Sequence, residues 1–183
     1  MHSPFVQLQQ TSDETLVRQL DANPQALRET EVDFIAARDC FFQASVNEAG
    51  WPYVQHRGGP AGFLKVLDAH TLAYADFSGN RQYLSRDNLQ HNDRISMILI
   101  DFAHRRRLKL MGHATLIQAE EAPGLMTQLA TPGYRARIER AVVIRVVAWD
   151  WNCPQHLTPR FTEAEVLSML AARPRAEPAG TAE

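Results

Sequence analysis

Cysteine is nearly absent: Cys40 and Cys153 are the only two in 183 residues. They lie far apart and match neither a disulfide framework nor a metal-ligand spacing, so they read as reduced thiols of a cytoplasmic protein. No run reaches the roughly 18 apolar residues that a membrane helix needs. The opening stretch MHSPFVQLQQTSDE lacks the basic start and apolar core of a signal peptide. Neither sign of charge dominates. A formal charge of -2 gives no electrostatic case for nucleic acid or an anionic membrane as partner. There is no internal repeat, no HExxH or HxxxH pair, and no glycine-rich turn of the P-loop or dinucleotide type. A preformed metal site and a Rossmann domain are both disfavoured.

What remains is an ordinary globular composition, 45% hydrophobic and 22% charged, on a chain long enough for one core without a staple. Residues 1–30 read as a helical segment. Thr11-Ser12-Asp13-Glu14 offers caps ahead of Leu16, Val17 and Leu20, and Pro24 opens a second, weak helical stretch around Ala26 and Leu27. These elements are expected to pack over one end of the domain, outside its core. Residues 31–171 form the main unit and 172–183 a frayed, Pro-containing tail.

Within the main unit, strands are predicted over Cys40–Val46, Pro52–Arg57, Phe63–Asp68, Thr71–Asp76, Arg94–Phe102, Arg107–Gln118 and Ala141–Trp149. In the sixth, Leu108, Leu110, Ala114 and Leu116 alternate with Arg107, Lys109, His113 and Thr115, the period of a half-buried strand. Helices are predicted over Asn80–His91, over Glu121–Leu129 and from Thr162, where Glu165 completes a capping box. Hairpin-connected strands at short intervals argue for a closed or nearly closed antiparallel barrel with helices outside it.

The chemistry concentrates in Gly58–Asn88. A strand carries a lone Lys65, and a small polar turn, Ser78-Gly79-Asn80, opens a helix beginning at Arg81. A cationic strand and a helix start together suit a phosphate. Arg57, Lys65, Arg81, Arg107 and Lys109 all sit at or near strand ends, either as a converging clamp or as solvated charges that discourage edge pairing. Gly58-Gly59-Pro60-Ala61-Gly62 reads as a wide hairpin turn. Cys153 and His156, three apart, are either a nucleophile pair or loop residues.

These motifs resemble the pyridoxamine 5'-phosphate oxidase-like family of flavin mononucleotide (FMN) binding split β-barrels, over Glu31 to Phe161. Gly62-Phe63-Leu64-Lys65 is similar to the second half of its flavin-binding strand, with Arg57 standing in for a displaced arginine. Tyr74-Ala75-Asp76-Phe77 and Gly79-Asn80-Arg81-Gln82 resemble its second strand and phosphate turn, and Arg106-Arg107 with Gly112 its later Arg-Gln-Gly pattern. The resemblance implies a mainly β, antiparallel split barrel with flanking helices. It implies a homodimer with FMN between the subunits, the phosphate on Lys65 and Arg81, and the ring along Phe63-Leu64 and Ala75-Asp76. Arg107, Trp151 and Arg160 are the implied closing contacts, with Gln155 and His156 facing a small substrate or NAD(P)H. The oxidase's C-terminal Arg-Leu-His-Asp-Arg motif is replaced by Trp151-Asn152-Cys153-Pro154-Gln155-His156, which removes the basis for pyridoxine phosphate as substrate. An FMN-dependent oxidoreductase is therefore the first expectation, with no protein nucleophile assigned. A non-catalytic flavin or haem binder on the same barrel, with His113 or His156 as axial ligand, is the second.

Overall fold

The structure, a computed structural model, describes residues 2–78 and 83–172. Seven strands form one antiparallel sheet: β1 (Cys40–Val46), β2 (Pro52–Gly58), β3 (Lys65–Asp68), β4 (Thr71–Phe77), β5 (Arg94–Asp101), β6 (Arg106–Gln118) and β7 (Ile138–Asn152). Their order across the sheet is β2-β1-β5-β6-β7-β4-β3. Six helices flank it: α1 (Pro4–Gln10), α2 (Glu14–Ala22), α3 (Glu29–Ala36), α4 (Leu84–His91), α5 (Pro123–Leu129) and α6 (Glu163–Ala171). Among the described residues, no helix is long and apolar enough to cross a membrane.

Connectivity forces the sheet to curl. β2 and β3 are its two opposite edges, yet only residues 59–64 join them. In a flat sheet the edges would stand six strand spacings apart, about 29 Å. The seven Cα steps from Gly58 to Lys65 reach at most about 25 Å even when fully extended. The edges are therefore drawn together, and side chains bridge the gap: the Tyr74 hydroxyl donates to Gln43 Oε1 at 2.9 Å, and Phe41 meets Tyr74 and Phe63. No described ladder joins β2 to β3 or β4, so the barrel is not closed. It is split along this seam. Gly58–Gly62 is consequently a crossover between edges and not the hairpin turn its composition suggests.

The inward positions follow the two-residue period. Leu99, Leu108, Leu110, Ile144 and Val146 fill the barrel with Phe41, Leu72 and Tyr74. On the opposite face of β4 and β7, the small side chains of Ala73, Ala75 and Ala141 let α5 approach, and Leu129 packs on them.

A bulge decides how the N-terminal segment attaches. Met111 pairs with Ala148 and Gly112 with Val146, leaving Val147 unpaired on β7. Its carbonyl accepts instead from the Gln25 amide at 2.8 Å, while the Leu27 amide donates to Ala69 O at 2.7 Å. Trp149 Nε1 donates to Ala26 O. The stretch after Pro24 is thus extended, because its backbone donors are taken by the sheet and its turns. This corrects the helix predicted there. It also corrects the expected exclusion of the opening elements from the core, since Leu27 is part of it and Phe5 is buried.

Two carboxylates couple this framework to pH. Partial burial alone would raise the Asp101 carboxyl, but the His104 amide and ring and the Arg38 guanidinium outweigh it and hold its pKa below the usual value. Burial likewise acts upward on Asp21 and is outweighed by the Arg145 hydrogen bond and the charges of His113 and Arg145. Folded-state pKa values below the unfolded ones contribute stability that is complete above the unfolded pKa of about 4 and lost as pH falls through the folded values. Urea midpoints are expected to hold between pH 5 and 7 and drop below pH 4, with Asp101→Asn flattening that drop. A midpoint insensitive to acid would contradict the assignment.

Candidate functional site

The seam opens into a cleft of about 150 Å³ lined by Arg57, Phe63, Tyr74, Ala75, Asp76 and Phe77, with His56 and Gly58 beside them. Period-2 alternation places Asp76 on the inward face of β4 with Leu72 and Tyr74. From across the seam, Arg57 Nη1 donates to Asp76 Oδ1 at 2.8 Å. From the neighbouring strand, Arg140 Nε lies 3.6 Å from Asp76 Oδ2, and Arg140 Nη2 pairs with Glu139 at 2.9 Å. Two arginines thus meet two carboxylates in a buried setting, Asp76 being 9% and Arg140 6% exposed. Charge is balanced there, but hydrogen bonding is not. Arg57 Nε, Arg140 Nε and Gln43 Nε2 are all buried without an acceptor among the described residues. Buried N–H groups are seldom left unpaired, because each costs about 1–3 kcal/mol. Of the three, Arg57 lines the cleft, and its unpaired N–H marks that wall as a place for an acceptor-bearing ligand.

Arg140 escaped the sequence reading, which began the last strand at Ala141. β7 in fact starts at Ile138, and Arg140 continues the inward row Val142, Ile144, Val146. A charge at an inward position of a strand is the signal that would have found it.

The other expected site residues divide into two groups. Phe63 lines the cleft, and Leu64 is buried in the core. Lys65 opens β3 opposite Ala73, half-buried and without an ion pair to any described residue. Gly79, Asn80, Arg81 and Gln82 lie outside the described residues, and the described helix α4 begins at Leu84, later than predicted. Arg107, Trp151, Gln155, His156 and Arg160 lie at or beyond the end of β7 opposite to Arg140. Along β7, twelve positions separate Arg140, which pairs with Asp76, from Asn152, which pairs with Arg107. Among the described residues, no hydrogen bond or ion pair joins Arg107, Trp151 or Arg160 to the cleft lining.

At that second end the side chains are already engaged. Arg107 Nη2 donates to the carbonyls of Cys153 and Gln155, and Arg105 Nη2 to that of Pro154. Trp151 packs edge-on against Phe34, donates to Glu31 Oε1 at 2.8 Å and carries the Arg106 guanidinium on its face. Arg160 stacks on Phe102. Gln155 and His156 are exposed. Lys109 lies over the Phe5 ring and 3.7 Å from Asp150, half-buried and engaged, which is neither the clamp nor a solvated edge charge. His113 has Asp21 and Asp93 on its two ring nitrogens, at 3.0 and 2.9 Å, so neither nitrogen is available as an axial ligand. Burial, then Asp39, raises the Cys40 thiol, a setting that suppresses thiolate reactivity.

Residues 27–150 match the sequence model described as pyridoxamine 5'-phosphate oxidase. No curated protein matches. Among solved structures, this chain is similar to a Lactobacillus delbrueckii protein named for the same oxidase, at 16% identity and a TM-score of 0.54 over 70% of this chain and 96% of that one. It is similar to HupZ of Group A Streptococcus, at 16% identity and 0.53 over 74% and 99%. It is also similar to an FMN-binding protein of Syntrophomonas wolfei, at 12% identity and 0.50 over 76% and 90%. At such identities these likenesses establish the fold alone.

Proposed function

The chain belongs to the pyridoxamine 5'-phosphate oxidase family, and on that premise we propose that it is a cytoplasmic FMN-binding oxidoreductase that works as a homodimer on a small organic substrate. The observation that carries the proposal is the seam cleft, whose wall holds the Arg57 Nε–H buried without an acceptor among the described residues, with Arg140 behind it on Asp76. The residues fit the cofactor. Phosphate and ring carbonyl oxygens accept from guanidinium and ammonium donors, which Arg57, Arg140 and Lys65 supply. Phe63, Ala75 and Phe77 give an apolar wall of the kind that excludes water from a planar ring.

The cleft of one chain encloses only part of such a ligand. Arg81 and its turn, together with Arg107, Trp151, Arg160, Gln155 and His156 of a second copy, complete it in this reading. When bound, the flavin supplies hydride transfer to or from the substrate, or NAD(P)H. The protein's own contribution is to hold that ring, to place positive charge beside it through Arg57 and Arg140, and to orient the substrate with Gln155 and His156. No side chain is required as a nucleophile. Replacement of the oxidase's C-terminal motif argues for a substrate other than pyridoxine phosphate.

The test is the absorption spectrum of the purified protein before and after titration with FMN. Flavin bands that saturate at one FMN per chain are expected. A protein that takes up no FMN would end the proposal, and a Soret band on adding haem instead would favour the haem-binding alternative.

A further inference from the structure

We infer that α6 docks into the groove beneath α1 and α2 of a second copy of this chain. The inference rests on the homodimer proposed above and specifies a contact within it. Two surfaces lack partners in one chain. α6 has no buried residue, and Val166, Leu167, Met169 and Leu170 are all exposed, Leu167 at 59% and Leu170 at 54%. So many large apolar side chains on nine residues are not stable in water without a cover. Elsewhere, a groove of about 360 Å³ lies between the outer sheet face and the first two helices, with Leu8, Val17, Val46, Met111 and Val147 among its lining.

The strand geometry relates the two. The root of α6 is held where Arg160 stacks on Phe102, just past the end of β5. The groove lies at the start of β5, at Arg94, Ile95 and Ser96. Eight residues, about 26 Å of strand, separate them. Between them runs an incompletely covered apolar stripe: Phe42 and Ala44 on β1, Ile98 and Ile100 on β5. Packing two such stripes about a two-fold axis across β5 sets the strands antiparallel. The Phe102 end of each copy then lies over the Arg94 end of the other, and each α6 over the partner's groove. Charge agrees with that placement. The first turn of α6 carries Glu163 and Glu165, and the groove rim carries exposed Arg94, which has no ion pair to any described residue. Glu165 caps its own helix, which leaves Glu163 for Arg94.

Leu167→Lys with Leu170→Lys tests the apolar half by sedimentation equilibrium on the full-length chain. Both residues are exposed within one chain, so the melting of the monomer should not change. The dimer dissociation constant should rise at least about 100-fold. Arg94→Glu and Glu163→Arg test the polar half. Each alone sets like charges at both contacts of its homodimer and should loosen it, whereas an equimolar mixture pairs opposite charges at both contacts and should restore dimers. A wild-type chain that stays monomeric overturns the dimer of the proposed function as well. A wild-type dimer that the leucine pair leaves intact, or charge variants that do not recover on mixing, overturns this inference alone.

Discussion

Replacing Lys65 and Arg81 together with alanine is expected to weaken FMN binding by roughly 3–6 kcal/mol, while riboflavin binding changes little. The magnitude is the sum of two charge-assisted contacts at about 1.5–3 kcal/mol each. The contrast with riboflavin isolates the phosphate, since the two ligands share the ring. Lys65 is suited to this role because it is half-buried at the start of β3 and has no ion pair among the described residues, so its charge is uncommitted. Arg81 enters through the family resemblance of its turn. Neither change should disturb the barrel, whose core residues lie elsewhere. Fluorescence titration of both ligands measures the effect. Equal FMN affinity in the double variant and the wild type would remove these two residues from the site and leave the phosphate to Arg57 and Arg140.

Gly112→Ala is expected to destabilise the fold by about 3 kcal/mol or more, the upper range for overpacking. A Cβ built at position 112 runs into the Arg145 carbonyl oxygen, with the Val146 Cα next to it at 3.2 Å. Both obstacles are backbone of the partner strand, so no rotamer change relieves them. The close approach comes from the Val147 bulge, and that bulge also frees the carbonyl that anchors Gln25. Local relief would therefore have to shift β7 and loosen the 24–28 segment with it. Urea unfolding followed by circular dichroism reads the loss. A change under about 0.5 kcal/mol, the scatter of ordinary surface substitutions, would mean that the strands can separate there without harm.

Some of this architecture could be read directly from the residues. Alternation along Arg107–Gln118 gave the correct inward set, with Leu108 and Leu110 buried and Ala114 beside them. Thr162 and Glu165 form the capping box their spacing suggests. The strand ends at Cys40 and Val46 were likewise visible, because aromatic and β-branched residues stop where Asn47 and Gly50 turn the chain. Each of these signals is local and is decided within a few residues by pleat, rotamer and capping geometry.

The site was legible only in part. Arg57, Phe63, Ala75 and Asp76 were singled out, and they do line one cleft. Nothing local to either residue shows that Asp76 holds Arg57, or that Arg140 joins them from 64 positions along the chain. For Lys109 both a clamp and a solvated charge were open, and Asp150 and Phe5 engage it instead. A charge at a strand end carries no local mark of which charge it will meet.

By itself, the sequence determined the strands, their alternation, most helices and the family, because these depend on short-range periodicity and on motif order. Only the tertiary structure decided that the two sheet edges meet in an open seam. It also decided that Val147 bulges to hold the N-terminal segment, and that the side chains of the Trp151–Arg160 segment are engaged with Glu31, Phe34 and Phe102 rather than with the cleft. Those outcomes depend on strand order and curl, which follow from packing and connection length across the whole chain, and no window of neighbouring residues encodes them.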